Sequence, residues 1–289
     1  MAEGGGGAEG GGGGRAAVIG GGTMGAGIAQ VLLEAGCDVV VVEADAGAAA
    51  RARVRIIEGL TRRKGVTTEE LKARTDRLGA ITDLSEPLRA ELVIEAIPEI
   101  PDAKRDLLAA AEKVVPPTAL LASNTSSLSI TDLAGALERP ERFLGMHFFN
   151  PVPLSALVEL VVGDGTAPAT VDDARQWVAR LGKESIEVRD SPGFATSRLG
   201  VALGLEAIRM LAEGVASAAD IDRGMVLGYR HPMGPLRLTD LVGLDVRLAI
   251  AEHLAATLGP RFDPPALLRD KVAAGELGKK TGRGFYEWT

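Results

Sequence analysis

The stretch "AAVIGGGTMGAGIAQVLLEAG", residues 16–36, decides the fold. Residues 16–20 read as a buried strand, and 24–36 as a helix that ends at Gly36. Between them Gly20, Gly22 and Gly25 stand in G-x-G-x-x-G spacing, with Thr23 and Met24 completing the loop. In such a loop the first glycine permits the tight turn and the second lets backbone approach a pyrophosphate. The third allows close helix–strand packing, and the helix N-terminus faces the anion. The next apolar run, "DVVVVEA" (38–44), brings Glu43 to a strand end about 20 residues on. A carboxylate there accepts hydrogen bonds from ribose hydroxyls and repels a 2′-phosphate, so NAD is expected rather than NADP. Asp45 is a rival for that role, and a solvated strand end is the plain alternative for Glu43.

Outward from the loop the same alternation continues. Strands are expected at 91–97, 119–123, 142–148, 157–162 and 185–190, with helices at 46–63 and 102–114. Near-continuous apolar strands separated by helices predict an α/β Rossmann-type domain with a mainly parallel sheet over residues 15–190. After "DSPG" (190–193) the strand pattern stops. Residues 191–289 therefore read as an all-α domain, helical to about residue 275 and with a glycine-rich ending. Residues 1–14 hold nine of the 37 glycines and are expected to form a disordered tail.

Composition narrows the class. Hydrophobic content of 46% with 25% charged residues is that of a soluble globular protein, and a net charge of −7 argues against nucleic acid as a partner. No apolar run approaches the roughly 18 residues of a membrane span. The one cysteine, Cys37, excludes an internal disulfide and lacks the company of a metal site, so no metal is expected. The N-terminus has neither a basic nor an apolar region, which predicts no signal peptide and a cytoplasmic protein.

"GMHFFNPVP" (145–153) puts one of three histidines beside two of six phenylalanines, in a stretch too rich in proline for a helix. Ligands of open α/β sheets gather at the carboxyl ends of strands. Ser126, His147 and Asn150 all fall at such ends. Glu159 interrupts the apolar run "LVELVV" and needs a partner to offset desolvation. If 142–148 pairs with 157–162, Glu159 comes near His147. A His–Glu couple fixes the ring tautomer and stabilises the imidazolium formed when the ring takes a proton. Phe148 and Phe149 would screen it from water. Against this stand a core or surface histidine and a Glu159 turned to solvent. Ser129, with Asp132 three residues on, reads as a helix cap.

Seven motifs, "VIEAIPE", "LASNTSSLSIT", "GMHFFNPVP", "LVELV", "DSPGF", "HPMGP" and "GKKTGRGFYEW", together resemble the 3-hydroxyacyl-CoA dehydrogenases, in order from about Arg15 to Trp288. The resemblance implies NAD-dependent oxidation of (S)-3-hydroxyacyl-CoA, of short chain such as 3-hydroxybutyryl-CoA, and its reverse. It makes His147 the catalytic base, Glu159 its orienting partner and Ser126 the donor to the substrate's 3-oxygen. Asn150 would help place nicotinamide and substrate, and Glu99, Lys104 and Lys280 would approach the cofactor. It also implies a homodimer formed through the helical domain.

Two departures from the family pattern stand out. Ser197 occupies a position where the family carries a substrate-contacting asparagine, and Tyr229 and Arg230 replace small residues before His231-Pro232. They leave open an alternative on the same scaffold, a dehydrogenase of a CoA-free hydroxy acid of the gulonate type. A non-catalytic NAD-binding structural or sensory relative is a second alternative, against which the intact Ser126, His147, Asn150 and Glu159 set argues. For the CoA nucleotide, Arg62, Arg63 and Lys64 are the candidate cations, with a solvated basic helix end as the alternative reading.

Overall fold

The computed structural model describes residues 13–84 and 88–288. Of the glycine-rich tail expected over 1–14, residues 1–12 lie outside that range. The chain forms two compact units that divide between Asp190 and Ser191.

The first unit is an eight-stranded sheet with helices. Its strands are β1 (Arg15–Ile19), β2 (Asp38–Val42), β3 (Leu78–Ile81), β4 (Leu92–Glu95), β5 (Leu120–Ser123), β6 (Phe143–Phe148), β7 (Leu157–Val162) and β8 (Glu184–Arg189). Their order is β3-β2-β1-β4-β5-β6-β7-β8. The pairings are parallel except for β6 with β7, which run antiparallel. This is the Rossmann-type, mainly parallel sheet, with its order reversing between β1 and β4, where doubly wound folds bind ligands. Six helices connect the strands: α1 (Thr23–Glu34), α2 (Ala46–Thr61), α3 (Thr68–Asp76), α4 (Pro101–Val114), α5 (Ile130–Ala134) and α6 (Pro168–Arg180). β1, β4 and β5 are buried along nearly their whole length, because helices cover both faces.

Sequence pattern misses α3 and β3. "LGAI" contributes one buried residue, Leu78, to a strand at the sheet edge, so there is no apolar run to read. Helix α2 stops at Thr61 rather than residue 63, which leaves Arg62, Arg63 and Lys64 beyond its last turn. Cys37 lies buried between α1 and β2, its thiol bonded to the Gly13 carbonyl at 2.8 Å.

The second unit is helical: α7 (Thr196–Ala212), α8 (Ala218–Gly228), α9 (Pro235–Val242), α10 (Leu244–Leu258) and α11 (Ala266–Ala273). Its core includes Val201, Leu205, Ile208, Leu236, Leu244, Leu254 and Leu268. Two buried acids close it. Asp222 accepts from the Leu236 and Arg237 amides and the Tyr286 hydroxyl, and Asp240 from the Phe285 and Tyr286 amides and the Trp288 indole. These bonds tie the "GFYEW" ending to α8 and α9. No helix among the described residues is long and apolar enough to cross a membrane.

Candidate active site

The glycine loop is built as its spacing implies. Gly20 has φ +94°, a conformation L side chains rarely adopt, and a Cβ on Gly25 would sit 1.7 Å from the Gly20 carbonyl oxygen. Helix α1 therefore starts hard against the end of β1. No side chain caps its first turn, and a Cβ on Gly22 would meet nothing within 4 Å. Amide donors facing an open approach suit a pyrophosphate. A cleft of about 850 Å³ runs past Gly20, Gly22, Thr23, Met24 and Glu43 to the apolar side chains of Ile97 and Leu107.

The rivalry between Glu43 and Asp45 is resolved by hydrogen bonding. Asp45 is the N-cap of α2, accepting from the Ala48 amide at 2.7 Å. Glu43 lines the cleft and accepts from the Gly21 amide at 2.7 Å. The Glu43 carboxylate thus lines the cleft and braces the glycine loop.

At the carboxyl end of β6 lies the histidine. His147 and Glu159 are directly opposed in the β6–β7 register, so their side chains share one sheet face. His147 Nδ1 is 2.7 Å from Glu159 Oε2, with the ring 7% exposed and the carboxylate wholly buried. A carboxylate can only accept here, so Nδ1 carries the proton and the basic lone pair lies on Nε2. The Phe149 ring packs against the imidazole at 4.5 Å. Phe148 does not screen it: successive strand residues face opposite sides, and Phe148 belongs to the core. Its amide instead donates to Asn124 Oδ1 at 2.9 Å, which ties the β6 end to the loop after β5.

A second buried network supports that loop. Lys104, on α4, donates to Glu95 Oε1 at 2.6 Å and to the Ile97 carbonyl at 3.0 Å, and lies 3.2 Å from Glu99 Oε2. Glu95 also accepts from Ser123 Oγ at 2.5 Å. Glu99 Oε1 accepts from the Ser126 amide at 2.8 Å, from Ser126 Oγ at 3.2 Å and from Thr125 Oγ1 at 2.9 Å. Glu99, Lys104 and Ser126, assigned separate roles by resemblance, are thus one hydrogen-bonded unit. Sequence reading missed Glu95 and Asn124. Glu95 carried a signal, since it interrupts an apolar run as Glu159 does.

The remaining candidates are not drawn together. Asn150 is exposed in the turn after β6. Arg62 pairs with Glu58 and Arg63 with Glu34, while Lys64 is exposed in the following turn, so the three do not converge on one point. In the second unit, Ser197 lies half-buried in the first turn of α7, and Lys280 donates to both Asp245 oxygens at 2.6 Å. Ser129 caps α5 as its spacing predicts, accepting from the Asp132 amide while donating to Asp190. Among the described residues no group of three or more His, Cys, Asp or Glu could hold a metal ion.

The pattern of the 3-hydroxyacyl-CoA dehydrogenase NAD binding domain matches residues 15–191, and that of the family's C-terminal domain matches 193–288. The chain belongs to the 3-hydroxyacyl-CoA dehydrogenase family. It is an NAD-dependent oxidoreductase by that membership. The probable 3-hydroxybutyryl-CoA dehydrogenase of Bacillus subtilis is 44% identical over 271 residues, covering 92% of this chain and 94% of the relative. The 3-hydroxybutyryl-CoA dehydrogenase of Mycobacterium tuberculosis is 43% identical over 275 residues, covering 92% and 96%. Among solved structures, M. tuberculosis FadB2 has a TM-score of 0.90 at 42% identity, covering 95% of this chain and 99% of that one. The (S)-3-hydroxybutyryl-CoA dehydrogenase PaaH1 of Ralstonia eutropha has a TM-score of 0.89 at 40% identity, with the same coverage.

Proposed function

We propose that this dehydrogenase interconverts short-chain (S)-3-hydroxyacyl-CoA, 3-hydroxybutyryl-CoA foremost, and the 3-ketoacyl-CoA. The reading rests on the buried His147–Glu159 pair at the carboxyl edge of a dinucleotide-binding sheet. The glycine loop and Glu43 would hold NAD, which when bound would supply the hydride acceptor. His147 Nε2 takes the 3-hydroxyl proton as the C3 hydride leaves, and Glu159 stabilises the imidazolium that results. In the reverse direction the imidazolium returns that proton to the developing alkoxide. Ser126, whose hydroxyl can turn from Glu99, donates to the same oxygen. Asn150 and Ser197 border the substrate near its reacting end, Lys280 approaches the cofactor, and Arg62, Arg63 and Lys64 are candidates for the CoA 3′-phosphate. Proton transfer from a positioned base supplies roughly 10²–10⁴-fold, and orientation and electrostatics the rest.

The second unit exposes large apolar side chains, Leu199, Leu227 and Tyr229 each more than 60% exposed, which supports a homodimer formed through it. The function is tested with purified protein, NADH and acetoacetyl-CoA. NADH oxidation that depends on the CoA thioester is expected, and His147→Ala should abolish it while NADH binding persists. A variant that keeps most of its rate removes His147 as the base. Equal turnover of a CoA-free hydroxy acid would favour the gulonate-type alternative.

A further inference from the structure

Lys183, just before β8, turns its charge inward. Its half-buried ammonium makes no ion pair among the described residues. It donates instead to the Val152 carbonyl at 2.7 Å and the Ser155 carbonyl at 2.5 Å. A surface lysine ordinarily keeps its head in water, because an ammonium loses hydration when drawn in. Burial accordingly lowers the Lys183 pKa, opposed in part by the Glu34 carboxylate.

The two carbonyls belong to one turn. The Leu154 and Ser155 amides both donate to the Pro151 carbonyl, at 2.9 and 3.1 Å, so residues 151–155 close a single helical turn. A turn that short leaves its later carbonyls unpaired, and a cation at that end completes them. Val152 also rests on α1. A Cβ on Gly27 would lie 2.9 Å from Val152 Cβ, and Val152 is buried. Gly27 is one helical turn beyond Thr23, so the helix that opens at the glycine loop also seats this turn.

Phe149 and Asn150 are strung between two fixed points. Before them, the Phe148 amide is tied to Asn124. After them, the 151–155 turn is clamped by Lys183 and packed on Gly27. Phe149 packs on the His147 ring. In the function proposed above, on which this inference rests, Asn150 borders the substrate's reacting end.

We infer that Lys183 is a positioning residue for the transfer step: by holding the 151–155 turn against α1 it sets where Phe149 and Asn150 stand relative to His147 and the reactants. It acts through the turn and not on a reacting atom.

The test is Lys183→Met, which keeps the stem and removes the donors. With NADH and acetoacetyl-CoA, kcat should fall roughly 10–10²-fold, the scale of a misplacement of about 1 Å. Both KM values and the Kd for NADH, read by fluorescence, should stay within about threefold of wild type, with binding stoichiometry unchanged. A residue needed only for folding would lower the stoichiometry and leave the surviving molecules at full kcat. Lys183→Arg, which can donate to both carbonyls, should recover most of the rate. Independently of turnover, the peptide spanning 149–156 should exchange its amide hydrogens faster in Lys183→Met than in wild type or Lys183→Arg.

A Lys183→Met kcat within about threefold of wild type overturns the inference. So does a loss that tracks NADH-binding stoichiometry, a Lys183→Arg variant that recovers nothing, or unchanged exchange in the turn. If Lys183→Met does not fold, Lys183→Gln takes its place. Its amide can still reach one carbonyl, so an intermediate kcat is expected and a wild-type kcat overturns the inference. A wild type inactive on every thioester sinks the proposed function, while the exchange comparison still decides whether Lys183 holds the turn.

Discussion

His147 and Glu159 meet across one rung of the β6–β7 ladder, their Nδ1 and Oε2 atoms 2.7 Å apart in a setting closed to water. The antiparallel register alone brings them together, since the two residues lie on different strands and neither side chain spans more than one rung. A neutral amide in place of Glu159 keeps the size of the side chain but removes the charge that favours the imidazolium. Glu159→Gln should lower kcat roughly 10²–10⁴-fold with a much smaller change in KM, read by steady-state kinetics. A variant within threefold of wild type would show that the carboxylate does not assist proton transfer.

The Lys104–Glu95 ion pair is the counterpart in stability. Both side chains are almost wholly buried, so removing one partner strands the other charge. Lys104→Met should cost about 3–5 kcal/mol in denaturant unfolding. The double variant Lys104→Met with Glu95→Gln should recover part of that loss. If the single variant unfolds at the wild-type midpoint, the pair contributes nothing to stability.

Glu43 and Asp45, two residues apart, should separate cleanly by phenotype. Glu43→Gln should raise the KM for NADH roughly tenfold, because it weakens the ribose acceptor and the brace on Gly21. Asp45→Ala should leave that KM unchanged and lower stability by about 1 kcal/mol through loss of the α2 cap. The reverse pattern would exchange their roles.

Cys37 predicts an alkaline limit to stability. Burial raises its thiol pKa from 9.0 to about 11. Between those values the unfolded chain has released the proton and the folded chain still binds it, so stability falls as pH rises. The full loss, reached above the folded pKa, is about 3 kcal/mol. Unfolding free energies of wild type and Cys37→Ala across pH 8 to 11 should diverge in that sense, and parallel curves would refute the assignment.

The sheet and the loop were legible because their signals are local. Strand burial writes itself as apolar runs, and G-x-G-x-x-G records a turn and a close approach within six positions. Edge strand β3 left no such trace, since an edge needs few buried residues. Glu159 and Glu95 both interrupt apolar runs, yet only Glu159 was read as a site residue, and their partners were not equally legible. His147 was the one histidine before residue 190, whereas Lys104 reached Glu95 only because α4 folds back over the end of β4.

The sequence by itself therefore determined the α/β architecture, the NAD loop and the family to which the chain belongs, since each rests on spacing along the backbone. Tertiary structure alone decided which acid caps a helix and which faces the cleft, that Phe148 turns to the core while Phe149 covers the imidazole, and that Lys183 turns inward to the Val152 and Ser155 carbonyls. Those outcomes depend on which side chains share a face or a buried volume. That is set by register and packing between segments far apart in the chain, and no local pattern encodes it.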